Sequence, residues 1–156
     1  LYIDPEKYNA LQQNLVMFYT GNQRKASDIL AEQKRNISAE DKFLVLKSMV
    51  RLVFDLREVL FSGSLADVGK ILHENWILKQ KLASQISNTA IDEIYRAGLE
   101  GGATGGKLLG AGGGGFMLFY CEPGKQSRLA EKLSHLERFD FGFDREGSKL
   151  IYFADE

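Results

Sequence analysis

Nine of the fifteen residues from Gly101 to Gly115 are glycine, and Lys107 sits among them. Consecutive glycines cost backbone entropy, so such a run implies backbone that approaches another group closely or adopts positive φ. Successive N–H groups in a tight loop can form a nest for phosphate. A neighbouring loop packed on the bare backbone would use the same residues. So would a bulged hairpin between Lys107-Leu108-Leu109 and Phe116 to Tyr120 with no ligand at all, and composition does not choose among these.

Two nucleotide motifs match the tract by spacing and fail by context. Gly101 to Lys107 has the spacing of a Walker A loop, but Leu108 stands where a hydroxyl would bind magnesium, and the preceding segment is helical where a strand is needed. Gly110-Ala111-Gly112-Gly113-Gly114-Gly115 matches a dinucleotide fingerprint, yet a strand-like run follows where a helix should receive the pyrophosphate.

Other residues with chemical capacity are fewer. His73, Glu74 and Asn75 stand beside Trp76 and could face a polar ligand; a solvated helix face beside a core tryptophan is the simpler reading. Arg24 and Lys25, at an expected helix start, could neutralise a phosphate or be ordinary surface charge. Cys121 has no second cysteine to pair with, and neither it nor His135 is assigned a role.

The elements that must position these groups follow from periodicity. Leu15 to Tyr19 reads as a buried strand closed by Thr20-Gly21-Asn22. A helix is expected from Arg24 to Ile37. Ser38-Ala39-Glu40-Asp41 resembles a capping box ahead of a long, well-buried helix with the stripe Phe43, Leu46, Val50, Val53, Leu60 and Phe61. After Gly63, Ser64 opens a third helix with the stripe Val68, Leu72, Trp76 and Leu82, and Thr89 opens a fourth that Gly98 would end. The strand Phe116–Tyr120, a weak helix from Gln126 to His135, and strands at Phe139–Phe143 and Leu150–Phe153 complete the chain. This order predicts an α+β fold: a ferredoxin-like antiparallel sheet with inserted helices packed on one face.

Composition sets the limits. The chain has 156 residues, 44% hydrophobic, enough for one domain with a core. A net charge of -1 disfavours nucleic acid and anionic membranes, and no apolar run reaches the roughly 20 residues that span a bilayer. One cysteine suits a reducing, cytoplasmic setting. The opening Leu1-Tyr2-Ile3-Asp4-Pro5 reads as mid-chain sequence, so a longer parent protein is expected.

Gly106-Lys107-Leu108-Leu109-Gly110-Ala111-Gly112-Gly113-Gly114-Gly115-Phe116 resembles the third conserved motif of the GHMP kinases. The Leu-Leu and Gly-Phe variants are similar to the branch that phosphorylates heptose 7-phosphates. His73-Glu74-Asn75-Trp76, Ile86-Ser87-Asn88 with Ile91-Asp92-Glu93-Ile94-Tyr95, and Phe18-Tyr19-Thr20-Gly21 point the same way. The resemblance covers the whole chain and implies that residues 1–156 form a GHMP C-terminal domain. It further implies that Lys107, Gly110, Ala111, Gly112, Gly113, Gly114 and Gly115 line a cleft near substrate and phosphate loop, with His73, Glu74 and Asn75 as possible substrate contacts. ATP and Mg2+ would serve the intact enzyme, with a sugar phosphate as acceptor. The serine-rich phosphate loop and catalytic aspartate would belong to an amino-terminal domain that these residues lack. No catalytic residue or metal ligand is therefore expected here, and the chain alone should not turn over. Two rival readings are a non-catalytic ferredoxin-like module that binds a ligand or pairs through its sheet, and an RNA-binding sheet, which the balanced charge opposes.

Overall fold

The computed structural model describes residues 3–21, 26–37, 39–144, 147–150 and 152. Four strands form one antiparallel sheet: β1 (Leu15–Tyr19), β2 (Gly105–Leu108), β3 (Phe116–Tyr120) and β4 (Glu137–Phe139), in the order β2-β3-β1-β4. β1 pairs with β3 from Leu15↔Tyr120 to Tyr19↔Phe116, and β2 with β3 from Gly105↔Tyr120 to Leu108↔Met117. Helices α2 (Ala26–Asn36), α3 (Glu40–Phe61), α4 (Ala66–Gln80) and α5 (Thr89–Glu100) lie between β1 and β2, and α6 (Gln126–Lys132) lies between β3 and β4. This is the expected ferredoxin-like order with extra helices in the first crossover. Among the described residues, no helix is long and apolar enough to cross a membrane.

The pleat divides the side chains as period 2 requires. Val16 and Phe18 of β1 and Met117 and Phe119 of β3 are buried together with Trp76, Ile91, Ile94, Tyr95 and Leu129 from the helices and Ile86 and Leu133 from the segments beside them. A smaller cluster gathers Tyr120, Val68 and Leu11, the last from a helix the sequence reading missed, α1 (Pro5–Asn14). Asp4 caps α1: its Oδ1 accepts from the N–H of Glu6 at 2.9 Å and of Lys7 at 3.3 Å, with Pro5 in the first turn.

Several local expectations are corrected. α3 is not well buried: Leu52 is its one buried residue, while Phe43, Val50, Val53, Phe54 and Phe61 are exposed, Phe61 by 71%. Its inward stripe is Val45, Met49, Leu52, Leu56 and Val59, nearly opposite Phe43, Val50, Phe54 and Phe61 at 100° per residue. Ser38 lies outside the described residues, and Ala39 stands at the N-cap of α3 with no side-chain bond. Asn88, one residue before Thr89, caps α5 by accepting from the Ile91 N–H at 3.1 Å. Gly98 does not end α5 but lies inside it, where a Cβ would come within 2.3 Å of the Phe119 ring. β4 spans only Glu137–Phe139, because Phe143 turns back to stack edge-on against Tyr8, 5.2 Å between centroids. Of the expected strand at 150–153, residues 151 and 153 lie outside the described residues; Leu150 and Tyr152 are exposed and in no strand.

Candidate functional site

The glycine tract divides into two parts. The first passes from the end of α5 into β2 and is packed by the domain itself. A Cβ on Gly105 would fall 1.9 Å from the Gly69 carbonyl oxygen of α4, and one on Gly106 would fall 2.4 Å from the Leu118 carbonyl oxygen. Gly69 and Gly105 thus let a helix lie directly on the edge of the sheet. The second part, residues 109–115, is the loop between β2 and β3, closed by the Leu109 N–H donating to the Phe116 carbonyl at 2.8 Å. Here Gly110, Gly112, Gly113 and Gly115 all have positive φ, and a Cβ on Gly110 or Gly115 would meet nothing within 4 Å.

Three anchors hold this loop. At its entrance the Lys79 ammonium donates to the carbonyls of Leu108, at 3.3 Å, and Gly110. At its middle the Gly113 N–H donates to the Ile86 carbonyl at 2.9 Å, and Asn88 Nδ2 reaches the Gly113 carbonyl at 3.4 Å. At its exit Thr20 closes a reciprocal pair: its Oγ1 accepts from the Gly115 N–H at 3.0 Å, and its own N–H donates to the Gly115 carbonyl at 2.8 Å. Thr20 also borders a cavity of about 350 Å³ with Ala90, Glu93, Ile94, Ala97, His135 and Leu136, which gives His135 its place.

Lys79 was not singled out in the sequence. It is 9% exposed, and the hydrogen-bond acceptors of its ammonium are neutral carbonyl oxygens. Burial, reinforced by the nearby Lys107 charge, lowers its pKa to about 8. The two accepting carbonyls work the other way and favour the charged form. The signal was present: Lys79 continues the stripe Val68, Leu72, Trp76, so a cation occupies a core-facing position.

The residues singled out from the sequence separate. Lys107 and Asn75 come together: the Lys107 ammonium donates to Asn75 Oδ1 at 2.6 Å, beside a slot of about 150 Å³ walled by Leu52, Val53, Leu56, Ile71 and Leu72. Burial lowers the Lys107 pKa. His73 lies half-buried with Nδ1 2.7 Å from the Tyr95 hydroxyl and its ring stacked on Tyr95, whose own pKa burial pushes up to about 12. Glu74 is exposed. Cys121 is buried, which raises its pKa, as suits a packed thiol. Arg24 and Lys25 lie outside the described residues.

A four-stranded antiparallel sheet with helices inserted in its crossovers is a fold this chain shares with solved kinase structures. Residues 56–137 match the family model for the GHMP kinases C terminal region, and the chain belongs to that family. It is 30% identical over 141 residues to D-glycero-alpha-D-manno-heptose 7-phosphate kinase of Campylobacter jejuni, covering 89% of this chain and 42% of that protein. It is 31% identical over 123 residues to mevalonate kinase of Thermococcus sibiricus, covering 74% of this chain and 36% of that protein. The fold matches the crystal structure of Methanococcus jannaschii mevalonate kinase with a TM-score of 0.71 at 24% identity, over 89% of this chain and 42% of that one. The chain therefore spans less than half the length of the relatives it matches.

Proposed function

We propose that this chain forms one wall of the active-site cleft of an ATP-dependent, cytoplasmic sugar kinase, with heptose 7-phosphate as acceptor and its anomeric hydroxyl as the attacking group. The observation that carries the reading is the loop 109–115: flexible residues held by anchors from distant segments, with bare backbone left open at Gly110 and Gly115. A loop built only to reverse a hairpin needs neither a buried lysine nor a threonine 95 residues away. Similarity to the Campylobacter jejuni heptose 7-phosphate kinase over 89% of this chain supports the sugar phosphate.

The division of labour follows from what the chain offers. Gly110 to Gly115 would contact the substrate or the phosphate loop supplied by an amino-terminal domain, and Lys107 with Asn75 would border the site. Bound ATP would supply the transferred phosphoryl group. This chain's part is to position and to exclude water, with no base of its own.

Turnover assays test the reading directly. The full-length protein should phosphorylate heptose 7-phosphate with ATP and leave mevalonate untouched, while residues 1–156 alone should turn over neither. Preference for mevalonate would overturn the acceptor, and turnover by residues 1–156 alone would overturn the shared-cleft reading.

A further inference from the structure

The peptide planes of the loop carry information beyond their anchors. No cis peptide occurs among the described residues, so each carbonyl points opposite to the N–H of the next residue. The Gly110 carbonyl accepts from Lys79, which turns the Ala111 N–H away from Lys79. The Gly113 carbonyl accepts from Asn88, which turns the Gly114 N–H away from Asn88. The Leu108 carbonyl also accepts from Lys79, and the Leu109 N–H it turns away is the one used by Phe116. The N–H groups of Ala111 and Gly114, like those of Gly110 and Gly112, have no acceptor among the described residues, and these two are the ones whose peptide planes Lys79 and Asn88 hold. They sit in a loop where two ammonium groups, Lys79 and Lys107, lie close enough for one charge to act on the other and neither forms an ion pair among the described residues.

We propose that Lys79 is a positioning residue: by holding the carbonyls of Leu108 and Gly110 it aims the Ala111 N–H, and Asn88 aims the Gly114 N–H, at an oxyanion of the bound ligand. This rests on the reading of the loop as a cleft wall and assigns its donors. A phosphoryl group is the fitting class, because a nest of backbone N–H groups backed by uncompensated positive charge prefers an anion over a neutral hydroxyl. The lysine need not touch the ligand. Its effect is to fix which face of two peptides is presented, while its charge adds to the local field. A neutral side chain of the same length would leave the Leu108 and Gly110 carbonyls without a partner and free the Gly110–Ala111 peptide to rotate.

Backbone amide spectra of the isotope-labelled protein, titrated with inorganic phosphate at constant ionic strength, test this. The Ala111 and Gly114 amides should shift downfield and saturate with a single binding curve, ahead of Gly105 and Gly106. Lys79→Met should weaken that curve by about tenfold with core resonances unchanged, and Lys79→Gln, which keeps one donor, should fall between. Two further titrations, with ATP and with heptose 7-phosphate, distinguish the source of the phosphoryl group: the true one should saturate the same two amides at the lower concentration. Uniform shifts across the surface, or no shift at Ala111 and Gly114, would overturn the donor assignment even where the full-length protein turns over. An unchanged curve in a folded Lys79→Met would overturn the positioning role. No step of this readout needs catalysis, so an inactive full-length enzyme would count against the kinase reading and not against this one. In an active full-length enzyme, Lys79→Met should raise KM for the ligand identified by these titrations more than it lowers kcat, a split that mere loss of fold would not produce.

Discussion

From Gly101 to Gly106 the missing side chains are replaced by the domain's own atoms: Leu129 against Gly101, the Gly69 backbone against Gly105, Phe119 against Gly106. In the loop Gly110, Gly112, Gly113 and Gly115 stand at positive φ, as Gly102 does in the first half, and at Gly110 and Gly115 nothing fills the space. One half of the tract is glycine because there is no room; the other is glycine because of the conformation and what the backbone must present. Gly112 belongs to both, with φ of 125° and a Cβ position 2.7 Å from the Ile86 Cα. A glycine-rich run is therefore two features joined end to end, and only the second leaves bare backbone open.

Substitution should separate the halves. Gly105→Val drives a branched side chain into the α4 backbone, and we expect a loss of about 3 kcal/mol or more in urea unfolding. A loss below 1 kcal/mol would show that α4 can move off the sheet edge. The loop half should respond to pH instead. Burial lowers the Lys79 pKa from near 10.5 to about 8, so between those values the unfolded chain binds the proton more tightly than the folded one. Stability should be flat below pH 8 and rise on the order of 2 kcal/mol as pH climbs from 8 to 10.5. Lys79→Met should flatten that rise; a rise that persists in the variant belongs to another group. His73→Leu removes the imidazole partner of the buried Tyr95 hydroxyl and should cost about 1 kcal/mol. A neutral result would release His73 from its place in the packing. Gly110→Ala meets no atoms and carries only the strain of positive φ, about 1 kcal/mol, yet in the full-length enzyme it should lower kcat/KM by more than that strain explains. Equal kinetics would return the loop to a plain hairpin.

Where a side chain pattern answers to one environment, it could be read in advance. β1, β3 and α5 face the core with a single stripe, and their extents were close to those expected. α3 defeated the pattern because it is apolar on two sides, so Leu46 and Leu60, which pack inward, were grouped with Phe43 and Phe61, which do not. α1 lacks a stripe, having Leu11 as its one buried residue, and only Asp4-Pro5 announced it. In the candidate site, the glycines stood out by composition, and Lys107 entered through the resemblance to the kinase motif. Lys79 was not singled out, and Asn88 and Thr20 entered only within stretches quoted for the family resemblance, because their task is defined by atoms far along the chain: 31 residues separate Lys79 from Gly110, and 95 separate Thr20 from Gly115.

That separation also orders assembly. Residues 109–115 are closed locally by one hairpin bond, whereas their final shape waits for β1 to arrive from the far end of the chain and for α4 to dock. Loops closed by such remote partners form late and open early. Hydrogen exchange at Gly115 should therefore report detachment of the end of β1, and exchange at Gly113 release of the Ile86 segment, before the β2–β3 ladder itself gives way.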